Sequence, residues 1–271
     1  MDNSFNYVRD FVRSEAGIVI DPGKEYLVES RLAPLVRSEG LASIEALVQN
    51  LRAGRQTELH RKVVDAMTTN ETTFFRDIDP FEYLRTDVLP KLIATRKVAR
   101  RLSIWYAASS TGQEPYSVSI LLREHFPELN DWQIEQVGTD ISRKALERAR
   151  EGKYSQLEVN RGMPAKLLLK YFDKKGLDWQ LKPAIRSMVT FQEMNLNGAW
   201  PRLGPFDIVF IRNVMIYFDV GAKKTILGRI HDLLRPDGYL FLGAAETTLN
   251  LDERFVRTPV GRSGAYTRAG A

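Results

Sequence analysis

The sequence predicts an α/β protein: a doubly wound, mostly parallel sheet with a small antiparallel β insertion, preceded by a small all-helical domain. Three observations lead to this fold class. From Asn3 to Glu71, apolar residues recur at helical spacing with almost no strand pattern. Beyond Phe81, short apolar runs alternate with amphipathic stretches, which is typical of a parallel sheet covered by helices on both faces. An interruption of about fifty residues, 152–204, then separates the second helix of this pattern from the next strand.

Four helices are expected in the first 67 residues, each bounded by a turn or a capping residue. They cover about residues 5–12, 26–36 and 43–51, and the fourth runs from about Thr57 to Met67. The breaks between them fall at Asp21-Pro22-Gly23, Gly40 and Gly54. We therefore expect a helical domain over residues 1–67, a linker over 68–80 and the main domain over 81–271.

The main domain is expected to contain four buried strands and three helices. The predicted strands are Leu102–Ala108, Ile134–Thr139, Phe206–Ile211 and Tyr239–Leu242. The predicted helices run over 114–125, from the capping residue Ser142 to Arg150, and over 221–234. Within the insertion, Asp178–Leu181 and Ser187–Phe191 read as short antiparallel strands separated by Lys182-Pro183.

Composition excludes several classes of site. The 271 residues include no cysteine, which excludes disulfides, thiolate metal sites and thiol nucleophiles. The histidines His60, His125 and His231 are too scattered to predict a metal cluster. No apolar run approaches the ~18 residues of a membrane-spanning helix, and an acid follows Met1 where a signal peptide carries basic residues. We therefore expect a cytoplasmic protein that uses no metal and does not insert into a membrane.

Positive charge is concentrated in one stretch. The formal net charge is +5, and 12 basic residues accompany 5 acidic ones between Arg143 and Arg186. This excess indicates a docking surface for an acidic partner, and a solvated helix face is the alternative.

Polar residues follow the ends of the first two predicted strands, where a doubly wound sheet binds its ligands. Small residues between Ala107 and Glu114 let a ligand approach the backbone, although the single glycine there does not match the dinucleotide-binding fingerprint. Asp140 is placed to accept hydrogen bonds from a ribose diol. Capping of the next helix is its alternative role.

A third strand end carries Arg212 and Asn213 after an apolar run. A charge near the core needs a partner, so Arg212 indicates either a ligand site or a structural ion pair. Tyr217 is either a site residue or a core aromatic with a satisfied hydroxyl.

The chain shows no Ser-His-Asp order, no metal-ligand cluster and no Gly-rich loop with a phosphate-binding lysine. Hydrolases, metalloenzymes and P-loop phosphotransferases are therefore poorly supported. A carboxylate attacks a sulfonium methyl group without a general base, so methyl transfer to an acid requires mainly positioning, desolvation and an orienting cation. The residues at these strand ends are of the types that could supply those functions.

Five ordered motifs resemble those of the CheR family, the S-adenosylmethionine-dependent glutamate methyltransferases of bacterial chemoreceptors. They are Thr68 to Asp77 (TTNETTFFRD), Trp105 to Ser117 (WYAASSTGQEPYS), Gly138-Thr139-Asp140, Met194-Asn195-Leu196 and Arg212 to Phe218 (RNVMIYF). The resemblance covers nearly the whole chain, including the helical domain and the inserted β-subdomain. It implies a Rossmann-like methyltransferase sheet.

The resemblance also implies roles for ten residues. Asn70, Thr72 and Arg76 match the linker positions that meet the cofactor, and Glu114 and Asp140 match those that hold its amino group and ribose. Asn195 and Leu196 match the adenine edge, and Arg212 and Asn213 the contacts at the strand end. Arg76 and Tyr217 match the catalytic positions nearest the transferred methyl group and the incoming carboxylate.

The implied reaction is in-line transfer of a methyl group from S-adenosylmethionine to a receptor glutamate, with S-adenosylhomocysteine and a neutral methyl ester as products. The implied partner is the cytoplasmic domain of a chemoreceptor, so we expect the cytoplasmic enzyme to associate with membrane receptor arrays. The turn Asp173-Lys174-Lys175-Gly176 looks shorter than in relatives that bind a receptor's C-terminal tether pentapeptide, so we expect no need for that tether.

Two other functions remain open at the level of sequence. A nucleic-acid methyltransferase would use the basic stretch for phosphate contacts, but Arg212-Asn213-Val214-Met215 lacks the Pro-Pro-aromatic run usual in amino-group methyltransferases. Because this run is missing, we expect no nucleic-acid partner. A scaffold that senses the cofactor without turnover would not need Arg76 and Tyr217, so their presence argues against that function.

Overall fold

The computed structural model describes residues 2–54 and 58–270. Thr57, the expected start of the fourth helix, lies outside them. The described part of the helical domain contains α1 (Asp2–Ala16), α2 (Glu25–Ser38), α3 (Ile44–Ala53) and α4 (Glu58–Met67). Ser43 caps α3 by accepting a hydrogen bond from the Ala46 amide. The helices share one apolar core, which includes Val8, Leu32, Leu47 and Val63.

The linker leads into a long helical stretch that the sequence did not predict. It consists of α5 (Asp79–Tyr83), a π-helical turn (Leu84–Val88) and α6 (Leu89–Arg96). Phe81, Leu84, Val88 and Leu92 lie in the apolar cluster on one face of the main sheet. The stretch therefore covers that face of the sheet before the first strand begins.

The main sheet has seven strands in the order β6-β2-β1-β7-β8-β10-β9. Its parallel strands are β1 (Arg101–Ala107), β2 (Gln133–Asp140), β6 (Thr190–Glu193), β7 (Phe206–Ile211) and β8 (Leu234–Leu242). The helices α7 (Gln113–His125), α8 (Arg143–Glu151) and α12 (Val220–Leu233) connect them or pack against them. This arrangement confirms the predicted doubly wound, mostly parallel fold.

The central strand β1 lies between β2 and β7. The chain moves outward in one direction to β2 and continues on the other side with β7, so the strand order reverses at β1. In such sheets, ligands bind beyond the carboxyl ends of the strands at the point of reversal. The topology therefore places a site after Ala107, Asp140 and Ile211.

The far edge of the sheet is an antiparallel hairpin absent from the sequence-based expectation. It is formed by β9 (Phe255–Val260) and β10 (Ser263–Arg268), and β10 pairs with β8. The register between β7 and β8 shifts after Leu234, and the predicted Pro236-Asp237-Gly238 turn lies in that irregularity. The turn residues thus interrupt β8 and do not precede it.

The insertion carries a separate three-stranded antiparallel sheet in the order β3-β5-β4. Its elements are β3 (Lys153–Ser155), α9 (Gln156–Asn160), α10 (Ala165–Tyr171), β4 (Phe172–Lys175) and β5 (Asp178–Leu181). The small antiparallel subdomain and its strand Asp178–Leu181 agree with the sequence.

The second strand predicted in the insertion is wrong. Ser187 and Met188 form a turn after α11 (Pro183–Arg186), and the strand begins only at Thr190. That strand, β6, pairs in parallel with β2 and belongs to the main sheet. A short strand pattern does not specify its partner, so the sequence could not distinguish the two sheets. The antiparallel part ends at Leu181, earlier than the expected bound of 204.

The subdomain fixes the linker through Phe74. The Phe74 ring is fully buried and packs edge-on against Tyr154 and Phe172, with centroid distances of 5.0 and 5.7 Å. The neighbouring Phe75 amide donates to Ser117 Oγ of α7 at 2.9 Å. The linker is therefore held between the subdomain and the main domain.

Among the described residues, no helix is both long enough and apolar enough to cross a membrane.

We expect Phe74→Ala to destabilise the fold by about 3–5 kcal/mol, because it removes a fully buried ring and leaves a cavity. Equilibrium denaturation should measure this loss. Leu177→Ala, at a subdomain turn where the side chain is 88% exposed, is the control and should change stability little. Equal effects of the two substitutions would contradict the anchoring role of Phe74.

Candidate active site

A cleft of about 880 Å³ of empty volume opens at the carboxyl ends of β1, β2 and β7, under the linker. All ten residues that the sequence singled out line it: Asn70, Thr72, Arg76, Glu114, Asp140, Asn195, Leu196, Arg212, Asn213 and Tyr217. They come from the linker, the ends of the three strands β2, β6 and β7, and the helix α7. The fold therefore brings all the sequence-predicted residues to one place, and their individual roles remain proposals.

The loop between β1 and α7 has an unusual backbone. Ala108 and Ser110 have φ values of 59° and 50°, in the left-handed region, and Gly112 at 93° is the N-cap of α7. Non-glycine residues in this region cost about 1–3 kcal/mol each and are often found at ligand sites. The strain is offset by hydrogen bonds, since Ser110 donates from its amide to Asp140 and from its hydroxyl to the Asn70 carbonyl.

Asp140 is 5% exposed, and its carboxylate links the end of its own strand, β2, to the loop that follows β1. One carboxylate oxygen accepts from the Ser110 amide at 2.8 Å, and the other from the Ser142 amide at 2.9 Å. The Ser142 side chain itself caps α8, so Asp140 is not needed for the helix-capping role. Burial raises the pKa of Asp140 above its ordinary value, and the two amide hydrogen bonds oppose that rise.

Arg212 lies inside the protein with its side chain only 1% exposed. Its guanidinium donates to Glu114 Oε2 at 2.6 Å, to Asp77 Oδ2 at 3.0 Å and to the Arg76 carbonyl at 2.9 Å. Burial raises the pKa of Glu114, and the charge and hydrogen bond of Arg212 oppose this. Both readings of Arg212 from sequence therefore apply, because it lines the cleft and also forms a structural ion pair.

Arg76 differs from Arg212 in having no carboxylate partner. Its guanidinium donates to the Glu71 carbonyl at 3.2 Å, and no ion pair of Arg76 occurs within residues 2–54 and 58–270. The side chain is half-buried on the cleft wall. A free cation in such a position is available to an anionic ligand.

The turn that carries Tyr217 is held by Glu246, a residue that sequence reasoning missed. The buried Glu246 carboxylate accepts hydrogen bonds from the amides of Asn213, Val214, Met215 and Gly243 at 2.7–2.9 Å. Tyr217 ends the short 3-10 turn that follows and is half-buried in the cleft. No local pattern around Glu246 indicates this role, since three of its four partners lie about thirty residues earlier in the chain.

Asn195 and Leu196 form one end of the cleft together with the helical domain. Asn195 Nδ2 donates to the Glu15 carbonyl at 2.6 Å, and its Oδ1 accepts from the Asn197 amide at 2.9 Å. The Asn195 side chain is thus engaged with protein groups, and Leu196 presents an apolar wall. Ala16 and Ile18 complete this end, and no local sequence pattern indicates that they line the cleft.

Family comparison identifies the chain. A model of the CheR methyltransferase SAM-binding domain matches residues 70–262, and a model of the CheR methyltransferase all-alpha domain matches residues 3–68. The chain belongs to the CheR methyltransferase family. The resemblance inferred from the motifs is therefore confirmed.

Three relatives illustrate how far this similarity extends. The chain is 45% identical to the chemotaxis protein methyltransferase Cher2 of Pseudomonas putida, and 46% identical to chemotaxis protein methyltransferase 1 of Pseudomonas aeruginosa. Each comparison covers 93% of this chain and 92% of the relative. A chemotaxis protein methyltransferase of Vibrio parahaemolyticus is 40% identical over 94% of this chain and 92% of its own length.

The cleft of this CheR-family chain fits a polar, cationic cofactor. Within the part of the chain that the structure describes, three buried polar atoms of cleft residues have no hydrogen-bond partner: Ser109 Oγ, Arg212 Nε and Asn213 Oδ1. Buried polar groups normally have partners, so these atoms suit a ligand with several donors and acceptors. Glu114 and Asp140 add two carboxylates to the cleft wall, and carboxylates accept hydrogen bonds from ammonium and hydroxyl groups. S-adenosylmethionine carries both groups.

We expect S-adenosylmethionine to bind more weakly as the pH falls, because Glu114 and Asp140 must be ionised to accept its hydrogen bonds. Burial raises both pKa values, so the loss should begin above the ordinary range of carboxylates. Below a raised pKa, each pH unit costs up to about tenfold in affinity per group. Calorimetric titration between about pH 7.5 and about pH 5 measures this.

Glu114→Gln keeps the shape of the side chain and removes one titrating group. It should bind the cofactor weakly at neutral pH and with a shallower pH dependence than the parent. An affinity of the parent that stays constant over the whole pH range would contradict the assignment of these two carboxylates.

Proposed function

We propose that the protein transfers a methyl group from S-adenosylmethionine to the γ-carboxylate of glutamates in the cytoplasmic helices of chemoreceptors. The observation that carries this proposal is that Arg76, which has no carboxylate partner among the described residues, lines with Tyr217 a cleft that suits S-adenosylmethionine. Membership of the CheR family and the names of the chemotaxis relatives support the choice of substrate. We further propose that the enzyme works at the cytoplasmic face of receptor arrays.

The ten cleft residues divide between cofactor and substrate. Glu114 and Asp140 would accept hydrogen bonds from the cofactor's ammonium and ribose, and Leu196 would pack against the adenine. Asn70, Thr72, Asn195 and Asn213 would surround it, with Arg212 keeping Glu114 in place. Arg76 and Tyr217 are then left to receive the substrate carboxylate.

The cofactor supplies an electrophilic methyl group, so the protein needs no general base at this centre. Arg76 holds the incoming carboxylate by charge, and the Tyr217 hydroxyl orients it by donating a hydrogen bond. The walls of the cleft exclude water and strengthen both interactions. The transfer converts the carboxylate into a neutral ester, which removes one negative charge from the receptor helix and would bias a two-state signalling element.

A wide groove beside the cleft is suited to an acidic helix. It runs between the helical domain and α8, shares Asn70, Glu71 and Thr72 with the cleft, and includes Lys144 and Arg161. Five of the 12 basic residues in the fully described range 143–186 form ion pairs: Arg143, Arg148, Lys153, Lys170 and Lys182. The other seven form no ion pair with a described residue, so we propose that their charges are available to an acidic partner.

The tether pentapeptide is not required in our proposal. The exposed edge strand β4 has only four residues, and its turn is formed by Gly176 and Leu177. Lys174 and Lys175 lie on this edge, and Lys174 is 4.7 Å from the Trp179 ring centroid. Short edge strands that carry lysine discourage pairing with another strand.

We expect Arg76→Ala to lower turnover by about 10²-fold, because the substrate carboxylate loses its positioning cation. Tyr217→Phe should lower turnover by about tenfold, and both variants should bind S-adenosylhomocysteine within about threefold of the parent. Transfer of labelled methyl groups to receptor cytoplasmic fragments measures turnover, and release of the label by mild base identifies an ester.

Arg85→Ala is the matched control, since Arg85 lies in the π-helical turn Leu84–Val88 and, among the described residues, pairs with Glu82 on the surface. Arg76→Lys should recover part of the lost turnover. Parent-level methylation by folded Arg76→Ala and Tyr217→Phe would show that the catalytic centre lies elsewhere. If the parent transfers label to nucleic acid and not to receptor fragments, the proposed substrate is wrong.

We expect methylation to fall steeply with added salt while cofactor binding changes little, because attraction between the groove and an acidic bundle is screened over about 8–10 Å. Charge reversal by Lys144→Glu with Arg161→Glu should raise the KM for receptor, and Lys224→Glu on α12 is the control. Calorimetric titration with the tether pentapeptide should give no micromolar binding. Such binding would mean that β4 forms a peptide edge and that the tether contributes.

A further inference from the structure

The helical domain contacts the turn Met215–Tyr217, which we call the catalytic turn, through a short segment that begins at the last residue of α1. We call this segment, residues 16–19, the strap. Ile18 forms an antiparallel bridge with Phe218, and the Val19 amide donates to the Tyr217 carbonyl at 2.8 Å. Arg13 at the end of α1 pairs with Asp219 at 2.8 Å. The strap and the end of α1 together therefore contact three consecutive residues, 217–219, that include the proposed catalytic tyrosine.

The strap is also part of the cleft wall. Ala16 and Ile18 line the cleft at the end formed by Asn195 and Leu196. The hydrogen bond from Asn195 to the Glu15 carbonyl fastens this end to the helical domain. A cofactor in the cleft would thus be covered on one side by a segment from a different domain.

Gly17 makes this close approach possible. Its φ is +73°, a left-handed value that glycine adopts readily. A Cβ atom at this position would lie 2.9 Å from Asn197 Cγ and 2.9 Å from the Phe218 ring. Any other residue would therefore push the strap away from the catalytic turn.

The turn that carries Tyr217 is held from two sides. Glu246 fixes the backbone from Asn213 to Met215 from within the protein. On the outer side, the Tyr217 carbonyl has the Val19 amide as its donor. Glu246 therefore holds residues 213–215, and the strap holds Tyr217, which lies just beyond them.

We propose that the strap is a positioning element that fixes Tyr217 for methyl transfer and covers the Asn195–Leu196 end of the cleft, so that cofactor exchange requires the strap to detach. This inference rests on the proposed function for the role of Tyr217. It assigns the helical domain a part in the chemistry and in the lifetime of the bound cofactor.

Gly17→Ala is the direct test, and Gly23→Ala is its matched control. Gly23 also has a left-handed φ, +86°, but a Cβ there would meet nothing within 4 Å. Both variants carry the same backbone strain, and only the first separates the strap from Phe218. We expect Gly17→Ala to release S-adenosylhomocysteine at least tenfold faster and to lose at least tenfold in kcat. Gly23→Ala should match the parent in both. Equal kinetics of the two variants would overturn the proposal.

Hydrogen exchange provides a second test on the parent protein, in case Gly17→Ala does not fold. The Val19 amide should exchange more slowly when S-adenosylhomocysteine is bound, because a covered cofactor keeps the strap closed. Arg13→Gln, which removes only the exposed ion pair, should weaken this protection and raise the release rate about twofold. Unchanged exchange at Val19 on binding would overturn the covering role. If the parent binds the cofactor but methylates no receptor fragment, the proposed function is wrong. The release and exchange measurements would then still test whether the strap covers the bound cofactor.

Discussion

A buried guanidinium must have partners, and Arg212 satisfies this need in a way that assembles the site. Its side chain lies at the end of β7, and its partners are Glu114 of α7 and Asp77 and the Arg76 carbonyl of the linker. Loss of both carboxylate partners would leave this buried charge uncompensated, and breaking a buried ion pair costs about 3–5 kcal/mol. Because the Arg76 carbonyl is one of the acceptors, the interactions that neutralise Arg212 also place Arg76 on the cleft wall.

The linker has a second, apolar anchor that explains what the β-subdomain contributes. Phe74 packs into the subdomain core two residues before Arg76, so the inserted sheet influences the site without lining the cleft. At the other end of the linker, Arg31 of α2 donates to the Met67 carbonyl and to Thr69 Oγ1, both at 2.6 Å. Three structural units therefore hold one short segment, and the site depends on all of them.

Sequence reasoning found the residues whose positions follow from a parallel sheet. Asp140 and Arg212 come directly after strands, and the carboxyl ends of parallel strands meet at one edge, so local patterns sufficed. Glu246 and Ile18 were missed because their contacts depend on how distant segments pack. The strand expected at Ser187–Phe191 was misplaced for a related reason, since a four-residue strand shows the same pattern in either sheet. All three features depend on long-range packing, which local sequence patterns do not show.

The charges around the cleft separate its two proposed ligands. Glu114 and Asp140 are buried carboxylates that favour a cationic ligand, whereas Arg76 has no carboxylate partner in the described part of the chain and favours an anion. Desolvation in the cleft strengthens the attraction between the two ligands themselves, which carry opposite charges. In the proposed reaction, methyl transfer would cancel both charges at the reacting atoms, so Arg76 would no longer attract the substrate once the carboxylate became an ester. The arrangement that would bring the reactants together would therefore not retain the methylated helix.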